Sequence, residues 1–156
     1  MKILVMSDSH GLKDCMIDII ALENPDQVLH LGDNDRDCFC IESTYPHIPL
    51  RLVRGNCDLF SSNPDIDRFT LCEKQFIMTH GHLHGVKSGL RKVIDAAQRE
   101  QADVLLFGHT HIPHYSIEDG LTVVNPGSIL YGNASYAVLE IKNGAVSCEL
   151  KILQLV

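Results

Sequence analysis

The chain has 156 residues, 45% of them hydrophobic and 21% charged, and a formal charge of −7. That length suits one domain, residues 1–156, with room for a real core. Its apolar stretches fall well short of the roughly 18 residues of a membrane helix, and no Lys/Arg cluster offers a face to a nucleic-acid duplex.

Lys2–Met6 reads as a buried strand, entered directly from Met1, so no secretory leader is expected. Residues 12–22 carry apolar side chains at helical spacing, and Asn24-Pro25 ends that helix. Residues 27–31 form a second strand and 35–42 a short helix, and residues 46–49 are loop. Residues 50–54 make the third strand. A polar loop over 58–65 contains the turn signal Asn63-Pro64. Residues 67–71 and 75–79 read as a hairpin around 72–74. Ser88 reads as the N-cap of a helix running to about Gln101, with Leu90, Val93, Ile94 and Ala97 on one face. Residues 103–107 form the next strand. Beyond Pro113 the spacing becomes β-rich, with strands at 115–117, 121–124, 136–141 and 146–153. Asp119-Gly120 and Asn143-Gly144 supply hairpin turns. The expected fold is α/β, two packed sheets with helices outside.

Five of the apolar runs end in residues that can bind a metal. They deliver Asp8-Ser9-His10, Gly32-Asp33, Gly55-Asn56, His80-Gly81-His82 and Gly108-His109-Thr110-His111. Runs rich in Val, Ile and Leu read as buried strands, and ligands of open α/β sheets gather at strand carboxyl ends. One rule therefore brings Asp8, His10, Asp33, Asn56, His80, His109 and His111 to one sheet edge. The set holds oxygen and nitrogen donors without thiolate, which suits Mn, Fe, Co, Ni or Zn in a working site. It is large enough for two ions sharing a carboxylate about 3.5–4 Å apart. Two divalent ions would place all their positive charge at one point of an acidic chain and attract a phosphoester. Gly32, Gly55 and Gly108 suit sharp turns and close approach. The plainer alternative is that these are turn and capping residues, with Asp8 capping the first helix and Asn56 shaping a turn.

The order D-x-H, G-D, G-N, H, G-H-x-H resembles the calcineurin-like metallophosphoesterase superfamily. The small size, Gly55-Asn56-Cys57-Asp58 and Asn125-Pro126-Gly127-Ser128 resemble its compact YfcE-like phosphodiesterase branch. The resemblance implies a four-layer αββα sandwich of two mixed sheets and a dinuclear site. It places Asp8, His10, Asp33 and His111 on one metal and Asp33, Asn56, His80 and His109 on the other, with Asp33 bridging. The implied cofactors are two divalent ions, Mn²⁺ first, with Fe, Ni, Co and Zn as alternatives. A metal-bridging hydroxide would attack phosphorus in line, and Asn56, His82 and Cys57 are the candidate substrate contacts.

Two positions depart from the wider pattern. Cys57 stands where many members have a histidine beside the leaving group, which removes an imidazolium acid. Arg36 stands where many have Asp or Asn, and the flanking Asp35 and Asp37 read as solvated surface carboxylates. His30 reads as a hydrogen-bonded core residue, His47 and His114 as surface residues and His84 as loop. Tyr131 and Asn133 read as local structure after the Pro-Gly turn. The six cysteines at 15, 38, 40, 57, 72 and 148 form no disulfide or zinc pattern, as expected of reduced thiols in a cytoplasmic protein.

The resulting expectation is hydrolysis of small phosphodiesters at an open site. The alternatives are a phosphomonoesterase or protein phosphatase, or a non-catalytic Vps29-like scaffold. Expected partners are a small phosphoester, with no membrane and no nucleic-acid polymer, and a homo-oligomer is compatible with the chain.

Overall fold

The computed structural model describes residues 1–129 and 133–153. β1 (Lys2–Met6) shows why the chain folds in layers. Successive side chains of a strand point to opposite faces, and both faces of β1 are apolar. Ile3 and Val5 join the core between two sheets, while Leu4 and Met6 face the helices. α1 (Lys13–Glu23) turns Cys15, Met16, Ile19 and Ile20 inward onto that second face. It ends at Asn24, whose left-handed backbone lets its N–H reach the Ile20 carbonyl. Leu12, not Asp8, occupies the N-cap.

The remaining elements are β2 (Gln27–His30), α2 (Phe39–Thr44), β3 (Leu50–Leu52), β4 (Ile66–Leu71), β5 (Lys74–Thr79), α3 (Arg91–Arg99), β6 (Val104–Phe107), β7 (His114–Glu118), β8 (Leu121–Asn125), β9 (Ala134–Lys142) and β10 (Ala145–Leu153). The first sheet runs β10-β9-β1-β2-β3 and the second β4-β5-β6-β8-β7. β1, β2 and β3 are parallel, as are β5, β6 and β8, and the other pairs are antiparallel. α1 and α2 pack on the outer face of the first sheet, and α3 packs Val93 and Ala97 on the outer face of the second. The architecture is the expected αββα sandwich of two mixed sheets.

Most expected boundaries shift by a residue or two, and three differences have a visible cause. Ser88 does not cap the third helix. It closes a separate 3₁₀ turn, Val86–Ser88, because Gly89 at φ 142° breaks the path, and α3 starts from Leu90. The helix expected over 35–42 is a 3₁₀ turn, Asp35–Cys38, followed by α2. The third strand stops at Leu52, before the chain bends into the site. The turns at Asp119-Gly120 and Asn143-Gly144 have positive φ at both residues, as a two-residue hairpin turn of the primed type requires. Tyr131 lies outside the described residues, and Asn133 directly precedes β9. No described helix is long and apolar enough to cross a membrane.

Strand register aligns the carboxyl ends. Met6 lies opposite His30 and His30 opposite Leu52, while Thr79 lies opposite Phe107. Glu23 pins the far side: its carboxylate accepts from Tyr136 Oη at 2.9 Å and from Lys151 Nζ at 3.1 Å, and pairs with Lys2 Nζ at 2.7 Å.

The inter-sheet core should be the main stabilising layer. Phe76 is 1% exposed there and stacks on Phe69 at 5.2 Å between ring centres. Phe76→Ala should therefore cost about 3–5 kcal/mol in urea unfolding. A loss under about 1 kcal/mol would mean that the two sheets are not held by this cluster.

Candidate metal centre

Asp8 leaves β1 through Ser7 and is wholly buried. Its amide donates to the Gly32 carbonyl at 2.9 Å, tying the end of β1 to the end of β2. One carboxylate oxygen, Oδ2, accepts from Ser7 Oγ at 2.5 Å and from the His109 amide at 3.1 Å. The other, Oδ1, has no hydrogen-bond partner among the described residues. His111 Nε2 stands 3.1 Å from it and His80 Nε2 3.9 Å, neither forming a hydrogen bond with it. With His10, whose ring centre is 5.3 Å from that of His111, these residues form one triad of donors.

A second triad adjoins it. His80 Nδ1 donates to the Leu31 carbonyl at 2.8 Å, which fixes the tautomer and leaves Nε2 with a free lone pair. That Nε2 lies 3.1 Å from His109 Nδ1, 3.1 Å from Asn56 Oδ1 and 3.5 Å from Asp33 Oδ2. Within Asp8/His10/His111 and within Asp33/His80/His109, one donor atom per residue lies within 4.8 Å of the others. The structure thus brings all seven sequence-predicted donors together. The chemistry fits divalent cations: carboxylate and amide oxygens and imidazole nitrogens converge, and a buried carboxylate oxygen lacks any donor among the described residues.

The loops that present these side chains are strained and tightly held. Asp8, His10, Asp33, His109 and His111 all have positive φ, between 44° and 69°. Non-glycine residues adopt that region seldom and at a cost. Buried carboxylates enforce it. Asp58 accepts the amides of Asp33 at 2.9 Å, Gly55 at 2.7 Å and Asp35 at 3.0 Å. Asp37 accepts from Ser9 Oγ at 2.8 Å and the Gly11 amide at 2.7 Å. Asp35 accepts from Asn63 Nδ2 at 2.7 Å and from Ser61 Oγ. Asp35 and Asp37 are therefore not the solvated carboxylates expected from sequence. Both are buried because loop amides and hydroxyls, invisible in a sequence, replace their water. At Gly55 a Cβ would collide with the Asp33 carboxylate, and at Gly108 with Ser7 Oγ.

The Pro-Gly turn packs beside the site, and two of its residues have holding roles that sequence reasoning missed. Asn125 Nδ2 donates to the Gly108 carbonyl and to Thr110 Oγ1, each at 3.0 Å, so it holds the loop carrying His109 and His111. Ser128 Oγ donates to the Asp8 carbonyl at 3.2 Å. The signal available was Asn125 at the end of an apolar strand.

Other expectations sort themselves by position. His82 is half-buried, with its ring centre 5.4 Å from that of His80 and 6.2 Å from that of His109, beside the site. Cys57 donates its amide to Asp33 Oδ1 at 2.9 Å, and its thiol is exposed. Loss of solvation and then the Asp33 carboxylate push that thiol up to about 11. His30 is fully buried and its Nδ1 accepts the Gly32 amide at 3.3 Å, as a core residue should. His47 is exposed, while His114 is half-buried in β7 and His84 lies in a 3₁₀ turn.

Protons and metals compete for these nitrogens. Burial works to lower His80, but Asp33 and Asp8 overcome it and raise the imidazole above its ordinary value. Burial and the neighbouring His80 push His109 down to about 4. Burial works to raise Asp33, yet the adjacent His80 ring and the bond from the Cys57 amide hold it well below the carboxylate range. In the metal-free protein, the His80 contribution to stability is complete below about pH 6.5. It is lost as pH rises through the raised folded value. His109 works oppositely, and protonation costs stability as pH falls from about 6.5 towards 4. A cation replaces the His80 proton, so the rise in Tm on adding metal should be larger near pH 8 than near pH 6. An equal rise at both would show that added metal does not use these nitrogens.

Residues 1–144 match the calcineurin-like phosphoesterase superfamily domain. The chain is 35% identical to the probable metallophosphoesterase YsnB of Bacillus subtilis, across 94% of this chain and 88% of that protein. It is 27% identical to phosphodiesterase YfcE of Escherichia coli, across 90% and 88%. A crystal structure from Streptococcus pneumoniae, described as a conserved predicted phosphoesterase, aligns with a TM-score of 0.79 at 28% identity, covering 97% of this chain and 88% of that one. With seven donors converging on the shared edge of two sheets and a match over nearly its whole length, this chain belongs to the calcineurin-like phosphoesterase superfamily.

Proposed function

We propose that the chain is a dinuclear, metal-dependent phosphodiesterase acting on small diesters in the cytoplasm. The observation that carries this reading is the position of His80 Nε2, 3.5 Å from Asp33 Oδ2 and 3.9 Å from Asp8 Oδ1. Two donor triads therefore share one wall, as a pair of neighbouring ions requires. Asp8, His10, Asp33 and His111 would hold one ion and Asp33, Asn56, His80 and His109 the other, with Mn²⁺ the first candidate. When bound, the ions supply an activated water as nucleophile and neutralise charge on the phosphoryl oxygens.

The chain's own residues prepare that chemistry. The Leu31 carbonyl keeps the His80 proton on Nδ1, so Nε2 faces the site as a neutral ligand. Ser7 and the His109 amide hold Asp8 Oδ2 and aim Oδ1 inward. The Cys57 amide does the same for Asp33 through Oδ1. His82, beside both rings, is placed to contact a substrate oxygen. The Cys57 thiol offers only a weak donor where an imidazolium would be a competent acid. A monoester dianion with an alkoxide leaving group is served poorly by that arrangement, which supports diesters. Six free cysteines suit a reducing compartment.

The test is metal analysis joined to hydrolysis of bis(p-nitrophenyl) phosphate, before and after chelation and reconstitution. Turnover that disappears with the metal and returns with Mn²⁺ supports the enzyme. Two bound ions with no turnover of any phosphoester would instead favour a Vps29-like scaffold. Asp33→Asn should lose at least one ion and nearly all activity, because it removes charge from both sites. Two ions and a near wild-type rate in that variant would exclude a bridging Asp33.

Leaving groups provide a second measurement. Without a strong acid at position 57, rates should fall steeply as the leaving alcohol becomes less acidic. Cys57→His should help alkyl esters more than nitrophenyl esters, by up to about 10²-fold. A fully metallated Cys57→His protein with an unchanged alkyl-to-nitrophenyl ratio would refute this account of position 57.

A further inference from the structure

A groove leads away from the metal centre that the reaction as described does not use. It begins beside Asn34 and Cys57, neighbours of the donors Asp33 and Asn56, and runs past Arg36 and Phe60 to Phe39. Two adjoining hollows of about 220 and 440 Å³ form it, the size range of small-ligand sites. Resting on the phosphodiesterase reading above, we propose that this groove binds the arm of the diester beyond the scissile phosphorus. The arm it fits carries a planar heterocycle and a second anionic group, as in a short nucleotide chain.

Three observations support that occupant. Phe60 is 89% exposed, although its backbone is not loose. Asp58 accepts three loop amides, the Ser61 amide returns to the Asp58 carbonyl at 3.1 Å, and Ser61 Oγ bonds Asp35. An exposed ring on a fixed backbone gains nothing for the fold, whereas it offers a stacking surface for a planar base. Next, the exposed Arg36 has no hydrogen bond or ion pair for its side chain among the described residues. The nearby Asp35 carboxylate is already occupied by Ser61 and Asn63. In a chain of charge −7 an unpaired guanidinium in a groove beside the Asp33 loop marks a place for a second anion. Finally, Glu42 lines the far end of the outer hollow, so an anion is favoured near Arg36 and disfavoured beyond it. The arm is therefore short, one further phosphate and not a polymer.

The experiment uses the metal-loaded full chain and three esters with one leaving group. These are methyl p-nitrophenyl phosphate, thymidine 5′-(p-nitrophenyl phosphate) and its 3′-phosphorylated form. Wild-type kcat/KM should rise about tenfold from methyl to thymidine ester, and again on adding the 3′-phosphate. Phe60→Ala should collapse the thymidine-to-methyl ratio, and Arg36→Ala only the increment from the 3′-phosphate. Arg36→Lys should restore part of that increment. Calorimetry with thymidine 3′,5′-bisphosphate reads the groove without turnover, and both alanine variants should weaken binding about tenfold. Hydrolysis of all three esters at similar kcat/KM would overturn the groove and leave the phosphodiesterase intact. No hydrolysis of any, with the bisphosphate bound through Arg36 and Phe60, would overturn the enzyme reading and keep the groove as a nucleotide site. Bisphosphate binding unchanged by both variants would reject the nucleotide arm and leave Leu59 and Phe60 as a surface for another protein.

Discussion

The buried carboxylate of Asp8 is the constraint on which the rest of the site depends. It is wholly enclosed, and one of its two oxygens has no donor among the described residues. Taking a charged carboxylate out of water costs several kcal/mol unless positive charge or hydrogen bonds compensate it. The satisfied oxygen receives the His109 amide, which belongs to the other sheet. Asp8 thus joins the two sheets at one end, and the cost of its bare oxygen is concentrated between them. A cation at that point would offset the cost, so metal binding and the closing of the two sheets are coupled.

Strain follows the same pattern. Five of the seven converging donors sit in left-handed backbone, at Asp8, His10, Asp33, His109 and His111. Each such residue costs of order 1–3 kcal/mol and persists only where its surroundings hold it. Here the holding groups are Asp37 under the Asp8 loop, Asp58 under the Asp33 loop and Asn125 under the His109 loop. All five face a cost greater than a glycine would, but glycine has no side chain to give the site. The surrounding glycines at 32, 55 and 108 have a further reason to be small: atoms of neighbouring loops stand where a Cβ would, and Gly32 also has φ 93°.

The strands and the donors were legible because one pattern encodes both. A parallel strand buried on both faces is a continuous apolar run, and it stops where the chain turns into the site. That signal located β1, β2, β5 and β6 and with them six of the seven donors, whereas Asn56 follows the short, partly exposed β3. It failed for groups whose state is set by partners distant in sequence. Asp37 is polar in a polar stretch, and nothing local says that Ser9 and Gly11, 28 and 26 residues away, will enclose it. Ser88 has the right chemistry for a cap, but Gly89 gives the chain a path no helix can follow. Asn125 reads as a turn residue until the loop it clamps is brought beside it.

Net charge also takes its meaning from position. A chain at −7 should repel phosphoesters, and three of its acidic residues, Asp35, Asp37 and Asp58, lie close beneath the site. Their charge is committed inward, to backbone amides and hydroxyls, where it shapes loops and faces little solvent. What an approaching anion meets is different: imidazoles, any cations they hold, and the unpaired guanidinium of Arg36. In a low-dielectric cleft such local charges count for more than the distant surface carboxylates, which salt screens within about 8 Å. The acidic framework therefore does not oppose an anionic substrate. It fixes the positively charged parts of the site in one place, and leaves the groove beyond Cys57 to decide which anion fits.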